Sequence, residues 1–266
     1  MAILNVTPDS FSDGGRFAHQ DAAVAQGLLL ATAGADLLDI GGESTRPGSD
    51  PVPPAEQLRR ILPVIRALSS AVAVPISVDT TSAEVAEAAL QAGAQLVNDI
   101  GAFRFDPAML PLLAATGVPA IAMHTLGPPK TMQAGPAYDD VVTEVRDHLA
   151  DRLEAASQAG VDPTQLILDP GIGFGKTLAH NLALLRGLPA LAALGRPILV
   201  GTSRKSFLAT LTAAPATGPD DRDRDRLMAT AASVAVAIAF GAHLVRVHDV
   251  AQLRDVIRVA DAIVRG

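Results

Sequence analysis

Short apolar runs alternate along the chain with longer segments in which apolar residues recur every three or four positions. A short run bounded by polar or glycine residues is typical of a buried strand, and the three-and-four spacing is typical of an amphipathic helix. Eight runs show the strand pattern: Ala2–Val6, Asp36–Ile40, Pro75–Val78, Gln95–Asn98, Ala120–Met123, Leu166–Leu168, Pro197–Val200 and Ala242–Val247. Helical spacing covers Val24–Ala33, Leu58–Leu68, Ala83–Ala92, Val141–Ala156 and Ile257–Val264.

Strands that alternate with helices predict βαβ units and a parallel sheet. Eight such units match the size of a (β/α)8 TIM barrel, which takes roughly 250 residues. An open doubly wound sheet is the alternative, and it usually carries a Gly-x-Gly-x-x-Gly turn after its first strand. Residues 7–15 read Thr-Pro-Asp-Ser-Phe-Ser-Asp-Gly-Gly instead. We therefore predict one α/β barrel domain over residues 1–266.

Three further features of the sequence predict helix ends, a buried helix and a loop. Glycine stops helices, and we expect it to do so at Gly34, Gly93, Gly117, Gly160 and Gly241. The most apolar stretch, Met228–Ala242, is shorter than the roughly 18–20 residues of a membrane span and predicts a buried helix. Residues 213–226 end in Asp-Arg repeats and predict a solvated loop.

Composition excludes several classes of protein. The 266 residues include no cysteine, which excludes a disulfide framework, a thiolate metal site and a cysteine nucleophile. The formal net charge of −7 argues against a nucleic-acid binder, but it leaves room for a small anion held by a local basic cluster. The first residues lack the basic and apolar regions of a signal peptide, so we predict a cytoplasmic protein that does not enter a membrane.

Polar residues end every predicted strand. The active site of a TIM barrel lies at these carboxyl ends. One aspartate or asparagine there is equally explained as a helix N-cap, but eight polar strand ends at one barrel mouth indicate a binding site. Asp79, Asn98 and Asp169 are acceptors suited to a flat heterocycle with several N–H donors. Asp39 either points inward with them or supports its own loop.

Basic residues at the same ends form a second set, namely Arg46, Lys205, Arg246 and His248. Guanidinium groups and backbone N–H groups suit phosphate oxygens, so this set predicts a phosphate or diphosphate site. Asn5 offers a carbonyl oxygen to Mg²⁺, which usually keeps several waters and shares the phosphate.

Two motifs are misleading. Residues 171–177 resemble the end of a P-loop, but Pro170 stands where its first glycine is required. Ser203 lacks the second glycine of a Gly-x-Ser-x-Gly turn, because Lys205 replaces it.

Motifs along essentially the whole chain resemble the bacterial dihydropteroate synthase family. Residues 4–15 and 41–48 resemble its two signature segments. Further matches follow in the family's order: Asp79-Thr80, Asn98–Ile100, Met123-His124, Asp169–Lys176, Ser203–Ser206 and Arg246–His248. The resemblance implies a TIM-barrel transferase that joins 6-hydroxymethyl-7,8-dihydropterin diphosphate to 4-aminobenzoate with Mg²⁺. It also implies a homodimer.

The resemblance further implies a role for each matching residue. The pterin ring would be held by Asp79, Asn98, Asp169 and Lys205, and flanked by Phe174 and Arg246. The diphosphate would be bound by Thr45, Arg46, Arg246 and His248, with Asn5 as the magnesium ligand. Ser206 and the Thr45–Pro47 segment, including Pro47, would contact the aminobenzoate. The groups acting in catalysis would be Asp13, Arg46, Lys205, Arg246 and His248.

Two other functions stay open at this point. A non-catalytic pterin-binding relative would keep the pocket without turnover, although the intact set of basic residues argues against it. A methyltetrahydrofolate methyltransferase on the same barrel would need no diphosphate clamp and would require a corrinoid partner.

Overall fold

Strands and helices alternate in a computed structural model of the chain, which describes residues 1–7, 16–212 and 219–266. The strands are β1 (Ala2–Asn5), β2 (Leu38–Gly41), β3 (Ile76–Asp79), β4 (Leu96–Asp99), β5 (Ala120–Met123), β6 (Leu166–Asp169), β7 (Leu199–Val200) and β8 (Leu244–Val245). The helices are α1 (Arg16–Thr32), α2 (Pro54–Ala71), α3 (Ala83–Gln91), α4 (Met109–Thr116), α5 (Val141–Gln158), α6 (Leu178–Arg186), α7 (Leu188–Ala192), α8 (Ser206–Leu211), α9 (Pro219–Ala239) and α10 (Val250–Arg265).

The eight strands close into a parallel barrel. Strands β1 to β6 pair in chain order, and β7 pairs with β8. Bridges between Leu168 and Ile198 and between Ala2 and Val247 join the two groups. The (β/α)8 barrel predicted from the sequence is therefore confirmed, and the carboxyl ends of all eight strands meet at one mouth.

Alternation along the strands separates two apolar regions. One set of strand residues, including Leu38, Val78 and Leu168, belongs to the main core shared with the helices. A smaller cluster consists of Met1, Leu37, Leu96, Ile121 and Leu199. Since side chains alternate between the two faces of a strand, residues two positions further along face the same way. The side chains of this cluster form an apolar floor inside the barrel, beneath the polar residues of its mouth.

The predicted elements differ from the structure in one predicted loop and in several helices. Residues 219–226 belong to α9, so the solvated-loop prediction is wrong for them, whereas residues 213–218 lie outside the described part of the chain. Proline in the first turn and aspartates near the amino end both favour a helix. Helices α4, α6, α7 and α8 were not predicted. The sequence of α4, Met-Leu-Pro-Leu-Leu-Ala-Ala-Thr, has no polar face to reveal a helical period.

The helix-stop glycines are confirmed. Each has a positive φ, between 67° and 113°, at Gly34, Gly93, Gly117, Gly160 and Gly241. Among the described residues, no helix is both long enough and apolar enough to cross a bilayer.

A tight approach between two strand ends fixes the loop that follows β6. Gly171 has a φ of +66°, and a Cβ placed on it would lie 1.9 Å from the carbonyl oxygen of His124. Its N–H donates to Oδ1 of Asp169 over 2.7 Å. Only glycine permits this contact, which holds the β5 and β6 ends together and orients the Asp169 carboxylate.

Alanine substitutions at two glycines separate the cost of the close contact with His124 from the cost of a positive φ. Gly171→Ala and Gly135→Ala both place an alanine at a φ near +67°, but a Cβ on Gly135 meets nothing within 4 Å. We expect Gly135→Ala to lower the free energy of unfolding by about 1–2 kcal/mol, and Gly171→Ala by about 3 kcal/mol more. Urea unfolding measures both values, and equal losses would show that the contact with His124 is not constraining.

Candidate functional site

A buried charge cluster lies where β2, β3 and β8 end. Arg246 follows β8, and its Nε donates to Oδ2 of Asp39 over 2.6 Å. Its Nη2 donates to Oδ2 of Asp79 over 2.7 Å. Asn98 of β4 donates to the same Asp39 oxygen over 3.1 Å. Asp39 therefore points inward, which resolves the question that the sequence left open, and it connects two residues predicted to bind ligands.

Burial dominates the electrostatics of this cluster. Asp39 is fully buried and Asp79 is 6% exposed. Burial raises the pKa of Asp79 to about 7, although the Arg246 cation opposes the shift. Arg246 thus offsets part of the cost of holding two carboxylates away from water. The carboxylates keep further acceptor capacity for N–H donors of a ligand.

A second wall is formed by the ends of β6 and β7. Burial raises the pKa of Asp169, and the Lys205 and Arg246 cations counteract this effect. Lys205 donates to the carbonyl of Ile172, and its Nζ lies 4.7 Å from the centre of the Phe174 ring. Burial lowers the pKa of the Lys205 ammonium to about 8. An acceptor, a cation and an aromatic face are therefore grouped on this side of the mouth.

His248 lies on the loop after β8, near three arginines. Burial first, and the cations of Arg204, Arg246 and Arg46 in addition, lower its pKa to about 4. His248 is therefore neutral near pH 7 and offers an N–H group in place of a charge. Its Nδ1 lies 3.0 Å from Oγ of Ser203.

The loop between β2 and α2 forms one rim of the mouth. It carries Thr45, Arg46 and Pro47, of which Arg46 and Pro47 are exposed. The N–H of Gly48 donates to the carbonyl of Pro129 over 3.0 Å, which ties this loop to the one after β5. A pocket of about 210 Å³ opens between these loops, with Thr45 and Asp79 in its wall.

The predicted site residues fall into three groups. The inner layer of the mouth contains Asp79, Asn98, Asp169, Lys205 and Arg246. The rim contains Thr45, Arg46, Pro47, Phe174, Ser206 and His248, with Ser206 exposed as the first residue of α8. Asn5 ends β1 opposite Gly41, and Asp13 lies outside the described residues.

Sequence reasoning missed a buried lysine beside the site. Lys176 is 3% exposed, and its Nζ lies 2.9 Å from both the Phe174 carbonyl oxygen and Nδ1 of His124. Burial lowers the pKa of Lys176 to about 7, against the opposing charge of Asp169. Burial also lowers the pKa of His124 to about 2. This pair supports the loop that carries Phe174. In the sequence, Lys176 stood at the end of the matching segment Asp169–Lys176 and in the misleading P-loop resemblance, and neither indicated its contact with His124.

The described residues at the mouth suit Mg²⁺ when a bound substrate supplies some of its ligands. Within the described ranges, no group of three or more His, Cys, Asp or Glu side chains is placed to hold a metal ion. Asn5 is partly buried and presents a single amide oxygen at the mouth. Mg²⁺ is commonly held by one or two protein oxygens together with waters and substrate phosphates. The site therefore suits a metal ion that is shared with a phosphorylated substrate.

Comparisons with known proteins agree with this geometry. The pterin binding enzyme family matches residues 1–248. Dihydropteroate synthase from Synechocystis sp. is 47% identical over 265 residues, which cover 100% of this chain and 90% of that relative. The solved Xanthomonas albilineans dihydropteroate synthase with 4-aminobenzoic acid has a TM-score of 0.90 and 48% identity, covering 100% of this chain and 93% of that one. Its structure with 7,8-dihydropteroate has a TM-score of 0.87 and 45% identity over the same shares.

The chain belongs to the pterin binding enzyme family, and the relatives named above are dihydropteroate synthases. The resemblance drawn from residues 4–15 and 41–48 is therefore confirmed.

The buried lysine makes stability depend on pH in a defined direction. The unfolded chain keeps Lys176 protonated up to about pH 10.4, whereas the folded protein releases this proton near pH 7. The penalty for burying the cation is thus greatest below pH 7, and it shrinks as pH rises from 7 toward 10.4. We expect the wild-type free energy of unfolding to gain about 2 kcal/mol from pH 7 to 9 relative to Lys176→Met.

Chemical denaturation at the two pH values measures this difference. Lys130→Met is the matched control, because Lys130 is exposed and, within the described chain, forms an ion pair with Asp50 on the surface. The free energy of unfolding of Lys130→Met should change between the two pH values as it does in the wild type. The same change in Lys176→Met would contradict the lowered pKa of Lys176.

Proposed function

We propose that the chain acts as a dihydropteroate synthase. It joins 6-hydroxymethyl-7,8-dihydropterin diphosphate to 4-aminobenzoate, and it releases diphosphate and 7,8-dihydropteroate. The observation that carries this proposal is the shared barrel mouth, where Arg246 and Lys205 face the buried acceptors Asp39, Asp79 and Asp169. Family membership supports the same reaction.

The acceptor wall suits the pterin ring. A pterin presents several N–H donors along one edge, and carboxylates accept such donors in parallel pairs. Asp79, Asn98 and Asp169 supply these acceptors from three strands. The Phe174 ring and the Arg246 guanidinium would cover the two faces of the bicycle. Because the apolar floor closes the barrel beneath them, these contacts form in a site with little water.

The basic side suits the leaving diphosphate. Breaking the C–O bond moves negative charge onto the diphosphate, so cations placed in advance stabilise the transition state more than the ground state. Arg246 and Arg46 supply charge, and neutral His248 supplies an N–H donor. Positive charge develops on the methylene carbon and the ring, where the buried carboxylates favour it. Asp13 of the first loop would add to this effect.

The aminobenzoate would enter from the rim. Ser206 and the Thr45–Pro47 segment border this side of the mouth. The attacking aromatic amine is weakly basic, so its attack needs no strong general base. Loop closure over the site would exclude water, which competes as a nucleophile.

Magnesium would accompany the diphosphate, with Asn5 as its protein ligand. When bound, the ion neutralises charge on the leaving group. The protein itself places the Asn5 amide oxygen at the end of β1. Arg246 and His248 lie on the neighbouring segment after β8, which the bridge between Ala2 and Val247 joins to β1.

The direct test is diphosphate release. The purified chain with both substrates and Mg²⁺ should produce equal amounts of diphosphate and dihydropteroate. Chelating the metal ion should abolish the reaction. A chain that binds pterin but releases no diphosphate would be the non-catalytic relative, and the proposal would be wrong.

Two substitutions test the cationic side. Lys205→Ala and Arg246→Ala should each cost about 2–4 kcal/mol of transition-state stabilisation, or roughly 30- to 1000-fold in kcat/KM. Arg146→Ala is the control, because Arg146 is paired with Asp147 on the surface of α5. Steady-state kinetics measure the change, and near-wild-type values for either variant would refute its assigned role.

We further propose that the chain forms a homodimer through α9 and α10. Large apolar side chains are exposed on both helices, at Val236, Phe240, Val259, Ile263 and Val264. Isolated exposed apolar residues are ordinary, but a group on two adjacent helices is typical of an interaction surface. A second copy of the same surface would cover them around a twofold axis.

Charge placed on this surface should separate the subunits. Ile263 is 79% exposed, so Ile263→Asp should leave the fold intact and shift the mass in solution from dimer to monomer. Leu29→Asp on α1, at a residue that is 65% exposed, should keep the wild-type mass. Light scattering measures both, and a dimeric Ile263→Asp protein would place the interface elsewhere.

A further inference from the structure

Ser203 lies directly behind His248 at the mouth of the barrel. Ser203 is 5% exposed. The hydroxyl oxygen accepts the backbone N–H of His248 over 3.2 Å, and it lies 3.0 Å from the imidazole Nδ1. One hydroxyl therefore contacts both the backbone and the ring of the same histidine.

The hydroxyl proton decides the direction of the second contact. A buried O–H donor requires an acceptor. Within the described residues, the contacts of the Ser203 hydroxyl are these two, and the backbone N–H is a donor. The remaining partner, Nδ1, must therefore accept. This assignment leaves the imidazole proton on Nε2, the edge of the ring that Ser203 does not touch.

The segment that carries Ser203 is held from three sides. Arg204 forms two hydrogen bonds to the carboxylate of Asp249, which joins the β7 and β8 loops. The Arg204 N–H donates to Oγ1 of Thr230 over 3.2 Å. Ser233 donates to Thr202 over 2.8 Å. Since both neighbours of Ser203 are anchored to α9, its hydroxyl keeps a fixed position relative to His248.

The charges around the ring agree with a neutral imidazole. Arg204, Arg246 and Arg46 approach it, and among the described residues the opposing charge near the ring is that of Asp249. A second proton on the ring would add a cation to this group, and it would have to displace the Ser203 proton from Nδ1.

We propose that Ser203 is a positioning residue that holds His248 in the neutral tautomer with its proton on Nε2, so that this N–H binds the diphosphate. The proposal rests on the proposed function for the identity of the anion. The arginines and His248 then bind the anion in different ways. The arginines supply charge, and His248 donates a directed hydrogen bond without its ring becoming a cation. Anion binding through His248 should then be independent of its titration.

The ring protons are observable without any substrate. Protein labelled with ¹⁵N-histidine gives long-range proton–nitrogen spectra that distinguish the two tautomers, and His248→Gln identifies the signals of His248. We expect a protonated Nε2 and a bare Nδ1 in the wild type from pH 8 to 5.5. In Ser203→Ala, we expect a mixture of tautomers. Ser203→Thr, which retains the hydroxyl, should restore the wild-type spectrum.

Binding of inorganic diphosphate with Mg²⁺ is the second readout. Ser203→Ala should weaken it about 10-fold, the scale of one hydrogen bond to a charged group, whereas binding of a pterin without diphosphate should change less than about 2-fold. Ser70→Ala, an exposed hydroxyl at the end of α2, is the matched control.

A wild-type His248 with its proton on Nδ1, or a Ser203→Ala protein with unchanged tautomer and diphosphate affinity, would overturn the proposal. Absence of diphosphate release from the natural substrates would instead overturn the proposed function, and the tautomer result would still stand.

Discussion

The structure of the site depends on one partly buried cation. Arg246 donates to Asp39 and Asp79 from inside the barrel, where unpaired charges are costly. Removing it would leave two carboxylates next to each other away from water. Removing either carboxylate would leave the guanidinium without one of its partners. The side chains from β2, β3 and β8 therefore hold each other in place before any ligand arrives.

The barrel provides this arrangement through the alternation of its strands. Leu37 and Leu96 lie on the apolar floor, and Asp39 and Asn98 face the same way two residues later. The floor keeps water from reaching the charges from below. Ligand access is therefore confined to the mouth, where the loops after β2 and β5 meet through Gly48 and Pro129.

Much of the architecture could be predicted from the sequence because it depends on local patterns. A few neighbouring residues are enough to predict each of the eight strands, the helix stops at Gly34 and Gly241, and the polar residues at the strand ends. The pairing of Lys176 with His124 could not be predicted, because it requires the β5 and β6 loops to meet across Gly171. The inward direction of Asp39 needed the register of β2, since a one-residue shift would have turned it toward the helices.

The most direct measurement is a crystal structure of the protein soaked with a pterin and diphosphate. The pterin N–H edge should lie within hydrogen-bond distance of Asp79, Asn98 and Asp169, and the diphosphate should lie against Arg246 and Nε2 of His248. Ligands bound outside the barrel mouth, or a pterin and a diphosphate at opposite ends of the barrel, would contradict a single shared site.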